Sequence, residues 1–248
     1  MNTINILGVA FTVLTPGAAI ELLADWLGGD KNHVVVTPNP EGVMQAGRNI
    51  NFAKALANAD LSLADGIGIY LASIINGNRL PARVRGVDTT FGLLDKLKDT
   101  GRPVTAYFLG GRPGVAESAA KNMEARYTNL KVVGHHDGYY TESEEMCIVE
   151  NISSLKPDIL LVCLGMPKAE IFADKHRHIN TKVTLCVGGT IDIMSGNVKL
   201  APKALRKIGL EWLYRLIKQP KRFFRMLDLP RFVLAVLLDR ITIARRTK

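Results

Sequence analysis

VTAYFLGGRPG, residues 104 to 114, runs as apolar and β-branched chain up to Leu109 and then breaks into Gly110, Gly111, Arg112, Pro113 and Gly114. The run before Gly110 has the length and composition of a buried strand, and residues 113–127 beyond it have helical spacing. A strand that turns through glycines straight into a helix is the half-unit of a sheet covered by helices. The same alternation recurs along residues 1–196, with strands expected at 4–7, 33–37, 61–64, 104–109, 130–134, 159–164 and 183–187. Between them, 17–27, 42–57, 89–97 and 113–127 have helical spacing. The pattern predicts an α/β fold: a Rossmann-like, mostly parallel sheet sandwiched by helices, with a basic helical C-terminal appendage over residues 197–248.

The chain has 248 residues, 47% of them hydrophobic, enough to bury a substantial core. Cys147, Cys163 and Cys186 are widely spaced in apolar surroundings, so they read as core thiols rather than as a disulfide framework or zinc site. The apolar N-terminus, MNTINILGVAFTVLTPG, has no basic region ahead of it and meets Pro16 too early to span a bilayer, so neither a secretion signal nor a membrane span is expected there.

The net charge of +9 is unevenly placed. Residues 199–248 carry 14 Lys and Arg against Glu211, Asp228 and Asp239, a net of +11, while the rest of the chain is at −2. A basic tail on a near-neutral body calls for an anionic partner: a nucleic acid, an anionic bilayer or a phosphorylated substrate. Within the tail, GLEWLYRLIKQP (209–220) has helical spacing up to Pro220, and two further segments start at Pro220 and Pro230. The apolar run 232–238 is far too short to cross a bilayer. Trp212, Leu213, Phe223, Phe224 and Phe232 interleaved with Arg and Lys fit helices lying in a membrane interface, against the plainer reading of helices packed on the body with a solvated basic face. Apolar residues of the tail could equally pair two subunits as a homodimer.

Unusual residues collect where the expected strands end: Thr37 and Asn39 in TPNPE, Asp65-Gly66, Gly110-Gly111, Asp137-Gly138-Tyr139, Gly165-Met166-Pro167, and Gly188-Gly189-Thr190-Ile191-Asp192. Ligands of open α/β sheets bind outside those ends. Any single strand-to-helix turn needs Gly, Asp or Pro for its geometry, but six loaded ends favour a site. The Gly110-Gly111 turn would aim backbone N–H groups and the positive end of a helix at a phosphate. Asp137 could hold a ribose hydroxyl, which keeps a nucleotide-dependent oxidoreductase open, and the basic tail keeps a nucleic-acid-binding module open. His135 and His136, adjacent on a strand, point to opposite faces and do not share a metal; His176 and His178 in DKHRH read as a solvated helix face. No DxD pair occurs, so no metal is expected, and a leaving diphosphate would be met by arginines and helix N-termini.

Taken in order, TPNPE (37–41), LADG (63–66), RVRGVD (83–88), FLGG (108–111), LGMPKAE (164–170), VGGTIDIMSG (187–196) and APKALRKIGLEWLYRLIKQPKRFFR (201–225) resemble the bacterial glycosyltransferases of the WecG/TagA/CpsF group, glycosyltransferase family 26. The resemblance runs over nearly the whole chain and is most like the TagA branch. It implies a cofactor-free, metal-independent, inverting enzyme with a UDP-sugar donor and a polyprenyl-diphosphate-linked N-acetylglucosamine acceptor. The enzyme would sit on the cytoplasmic face of the membrane, peripheral to it through the appendage, with no nucleic acid as partner. The TagA branch transfers N-acetylmannosamine in the first committed step of wall teichoic acid linkage-unit synthesis, and the WecG branch transfers the uronic acid of that sugar. Two positions depart from the family pattern: Ala169 stands where Gln is usual, and Ile191 where an aromatic is usual.

An inverting transfer needs one base to take the acceptor's proton. The resemblance assigns that role to Asp65, with Thr37 and Asn39 positioning the sugar. Arg83, Gly110, Gly111, Asp137, Gly138 and Asp192 are expected on the donor side. Arg215, Arg222 and Arg225 would share a face if the helical register survived Pro220, at least one of them closing over the diphosphate.

Overall fold

The computed structural model of the protein describes residues 1–207, 209–218 and 227–246. Six parallel strands form the central sheet: β3 (His33–Val36), β4 (Leu61–Ser62), β5 (Val104–Gly110), β6 (Leu130–His136), β7 (Ile159–Cys163) and β8 (Val183–Cys186), in the order β4-β3-β8-β7-β5-β6. Helices α1 (Pro16–Trp26), α2 (Pro40–Ala46), α3 (Ile50–Asn58), α4 (Ile67–Ile75), α5 (Gly86–Asp99), α6 (Val115–Arg126), α7 (Glu142–Leu155), α8 (Lys168–Lys175) and α9 (Thr190–Met194) cover its two faces. Two apolar cores result. One joins Leu23, Leu93, Phe108 and Ile191 on the side of α1, α5, α6 and α9; the other joins Val36, Phe52, Ile69 and Phe172 on the side of α2, α3, α4, α7 and α8.

The expected strand at 4–7 forms, but not in the parallel sheet. β1 (Thr3–Ile6) pairs antiparallel with β2 (Val9–Thr12) through a two-residue turn in which Leu7 and Gly8 both have positive φ. The expected helix at 42–57 divides into α2 and α3, because Asn49 takes extended backbone and caps α3 by accepting from the Phe52 amide. Cys163 and Cys186 are buried as expected; Cys147 corrects that reading, since it lies exposed on α7.

The β5 end explains the opening motif. Gly110 has φ +132°, and a Cβ there would lie 2.4 Å from the Cys163 carbonyl oxygen, so only glycine lets β5 and β7 close on each other. The connection leaving β5 runs outward to β6 while the one leaving β7 runs back to β8. The gap between these strands is therefore a topological switch point, where such sheets open a crevice.

The appendage contributes α10 (Lys203–Lys207), α11 (Glu211–Lys218) and α12 (Asp228–Arg246). α12 packs along α2 and α4: Phe232 and Val236 enter the second core, and Asp228 pairs with Arg48 at 2.9 Å. Among the described residues, no helix is long and apolar enough to cross a membrane.

Candidate active site

Strand order sets the motifs in a row along one edge of the sheet. From β4 to β6 the ends carry Asp65, then Thr37 and Asn39, then Gly188 to Asp192, then Gly165 to Pro167, then Gly110 and Gly111, and last Asp137 and Gly138. Neighbouring strands lie about 4.8 Å apart, so the β4 and β5 ends stand roughly 19 Å from each other. The candidates thus form two groups joined by the ends of β8 and β7.

At the β4 side, Asp65 follows the strand and is half-buried, and its Oδ2 accepts from the Gly86 amide at 3.4 Å. Gly86 opens α5, so the carboxylate faces the positive end of a helix. The preceding loop is tied on as well, Val84 donating its amide to the Ala64 carbonyl. Thr37 is buried, and its hydroxyl donates to the Cys186 carbonyl at 2.9 Å, which fixes it across β3 and β8 rather than as a helix cap. The cap of α2 is Asn39, whose Oδ1 accepts from the Gly42 amide at 2.9 Å. Gly42 lies against the Met166 thioether, bringing the β7 turn up to α2. The Arg83 Nη2 donates to the Arg206 carbonyl at 2.9 Å, joining the site to the appendage.

At the β5 side, the Gly138 amide donates to the Gly111 carbonyl at 2.9 Å, which locks the β6 end onto the glycine turn. Asp137 accepts from the Tyr139 amide through its Oδ1, so part of its hydrogen-bonding capacity holds the turn. Asp192 sits in the first turn of α9, half-buried. Beside these ends lies a cavity of about 330 Å³ whose walls include Tyr140, Leu164, Ile171 and Phe172, with Lys168 and Lys175 on its lining. Burial pushes the Tyr140 hydroxyl well above its usual range.

Of the tail arginines, Arg215 falls in α11 with its side chain outside the described residues, and Arg222 and Arg225 lie outside them altogether. His176 corrects the solvated reading of DKHRH: it is 3% exposed, meets the Glu145 carboxylate through Nε2 at 2.9 Å and packs on Phe172. Three participants escaped sequence reasoning. Gly86 and Arg85 are letters of RVRGVD and Glu211 a letter of GLEWLYRLIKQP that no local pattern singles out, because Gly86 meets Asp65 across 21 residues and Arg85 meets Glu211 across 126.

The chain matches the glycosyl transferase WecG/TagA/CpsF family over residues 4–246. It belongs to that family. Among curated members, it is 35% identical over 213 residues to the N-acetylglucosaminyldiphosphoundecaprenol N-acetyl-beta-D-mannosaminyltransferase of Bacillus spizizenii, a match covering 86% of this chain and 81% of that protein. The protein of the same name from Bacillus subtilis is 34% identical over 207 residues, covering 83% of this chain and 79% of its own. Membership makes the chain a glycosyltransferase and sets the oxidoreductase and nucleic-acid readings aside. Ala169 and Ile191, the two positions where the resemblance leads one to expect Gln and an aromatic, are both fully buried, Ile191 against the glycine turn at Gly111.

Proposed function

We propose that this chain is an inverting glycosyltransferase moving N-acetylmannosamine from UDP-N-acetylmannosamine to undecaprenyl-diphosphate-linked N-acetylglucosamine, with a β-1,4 linkage as product. That reaction would be the first committed step of wall teichoic acid linkage-unit synthesis. The observation that carries the proposal is the carboxylate of Asp65 set at a strand end, facing the N-terminus of α5, in one row with Thr37 and a glycine turn able to receive a phosphate.

In this reading the donor lies along the row. Its nucleotide sits toward Gly110, Gly111, Asp137 and Gly138, with Asp192 between, and its sugar lies over Thr37 and Asn39. Asp65 takes the proton from the acceptor's 4-hydroxyl as that oxygen attacks the anomeric carbon. The bond to the diphosphate breaks on the opposite face, and UDP leaves with the electron pair. Arg83, Arg215, Arg222 and Arg225 meet the charge of the diphosphate. Residues 1–196 act as the catalytic core, and residues 197–248 dock it on the inner membrane face and complete the site.

The test is a radiolabelled-donor assay on lipid-linked N-acetylglucosamine, comparing UDP-N-acetylmannosamine, its uronic acid and UDP-glucose. Transfer from the first is expected; transfer from the uronic acid alone would move the chain to the other branch. In the same assay Asp65→Asn should keep its melting temperature and lose turnover by ~10²–10⁴-fold. Unchanged turnover would remove Asp65 from the chemistry.

A further inference from the structure

The loop carrying Arg83 and Gly86 is held to the appendage by a group of charges whose centre is Arg85. Its side chain is 10% exposed and lies between Asp88, one turn into α5, and Glu211, the first residue of α11, itself 17% exposed. Burial works against its charge, yet the hydrogen bonds that it donates to Asp88 and the pairing with both carboxylates outweigh it and hold the guanidinium above its ordinary range. Arg206 reaches the second oxygen of Asp88 at 3.5 Å, and its carbonyl accepts from Arg83. The turn between α10 and α11 presses on the core at Gly209, where a Cβ would lie 2.7 Å from the Ile67 Cβ at the start of α4.

Arg85 is also the residue that caps α5, directly before Gly86, whose amide faces Asp65. One guanidinium thus joins the seating of α11 to the backbone that orients the candidate base. A planar fork suits this place, since it can meet two carboxylates from different elements at once.

We propose that Arg85, through Glu211, is a positioning residue that makes the appendage and the 83–88 loop seat as one unit, so that Asp65 and Arg83 reach working geometry only when α11 is docked. The catalytic side of this inference rests on the glycosyltransferase reading above; the coupling itself does not.

The experiment compares the full-length wild type with Glu211→Gln, Glu211→Asp and Arg85→Lys, by peptide-resolved hydrogen exchange and by turnover on lipid-linked acceptor. Losing a part-buried charge-assisted bond should raise exchange about tenfold or more in residues 205–214. The coupling predicts a matching rise in residues 83–88, which Glu211→Gln leaves chemically untouched. kcat should fall by a similar factor, with a smaller change in donor KM. Glu211→Asp keeps the charge and should recover part of both losses, whereas Arg85→Lys keeps a charge without the fork and should resemble Glu211→Gln. Exchange that rises in 205–214 alone, with 83–88 and kcat within twofold of wild type, overturns the proposal. The exchange measurement needs no substrate, so a wild type inactive in the assay whose Glu211→Gln variant still shows the coupled rise in exchange would sink the proposed reaction and leave the coupling standing.

Discussion

Glu170 carries a carboxyl that the proposed chemistry leaves unused and that the fold nonetheless buries. It is 2% exposed in the first turn of α8, and its Oε2 has no hydrogen-bond partner among the described residues. Burial pushes the carboxyl up from 4.5 to about 7. Below the lower value the folded and unfolded chains are both neutral at this position. Between the two values the unfolded chain releases a proton that the folded chain keeps, so stability falls as pH rises, by up to ~3 kcal/mol once both are ionised. Glu170→Gln should remove that fall: its stability relative to wild type should improve by ~2–3 kcal/mol between pH 4.5 and pH 8 in urea denaturation. An offset equal at both pH values would mean that the carboxyl is not held neutral. The sequence offered Glu170 only as a letter of LGMPKAE, whereas Asp65 and Thr37 stood out because strand ends are readable from composition. Burial of a polar side chain in the middle of a motif depends on what packs over it, which no local pattern records, and His176 escaped for the same reason.

Among the elements, the sheet was readable and the appendage only half so. Parallel strands buried on both faces are continuous apolar runs, and seven runs were found, with the first belonging to the β1–β2 hairpin instead of the sheet. The break between α2 and α3 had its signal in Gly47 and Asn49, overridden by helical spacing on either side. The tail pattern leaves open interfacial helices and helices packed on the body, and α12 has an apolar face for each. One buries Phe232 and Val236 against α2 and α4, where the Phe232 ring lies beside Gly68, while Val233, Leu234, Leu237, Leu238 and Ile241 stay exposed. Truncating the buried anchor should release the helix without unfolding the core. Phe232→Ala is expected to cost about 3 kcal/mol of docking and to make residues 227–246 the first site of limited proteolysis, with the sheet core resistant. A globally lower melting temperature with no selective cleavage would show instead that α12 is integral to the core.

Across the whole molecule, the exposed apolar stripe of α12 belongs to a helix packed on α4, whose Leu71 and Ile74 are exposed too, and the last fifty residues carry a net +11 against −2 for the rest of the chain. An apolar stripe flanked by Lys and Arg is what a helix in the headgroup region of an anionic bilayer presents, the charges drawing it down and the apolar side chains entering the acyl boundary. The acceptor of the proposed reaction is itself anchored in a bilayer by its prenyl chain, so a docked enzyme would meet it at a fixed height above the surface. Replacing Leu234 and Leu238 together by Glu puts two negative charges on the stripe and leaves Phe232, Val236 and the row of strand ends untouched. Binding to vesicles of mixed anionic and neutral lipid, measured by co-sedimentation, should fall at least tenfold, because lost apolar burial and added repulsion act together. Turnover on vesicle-borne acceptor should fall with it, while turnover on a short, detergent-soluble acceptor stays within twofold of wild type. Equal vesicle binding by the variant would take the stripe out of membrane contact. Reduced binding with a native-like rate on vesicles would mean that docking and catalysis are separate duties of the appendage.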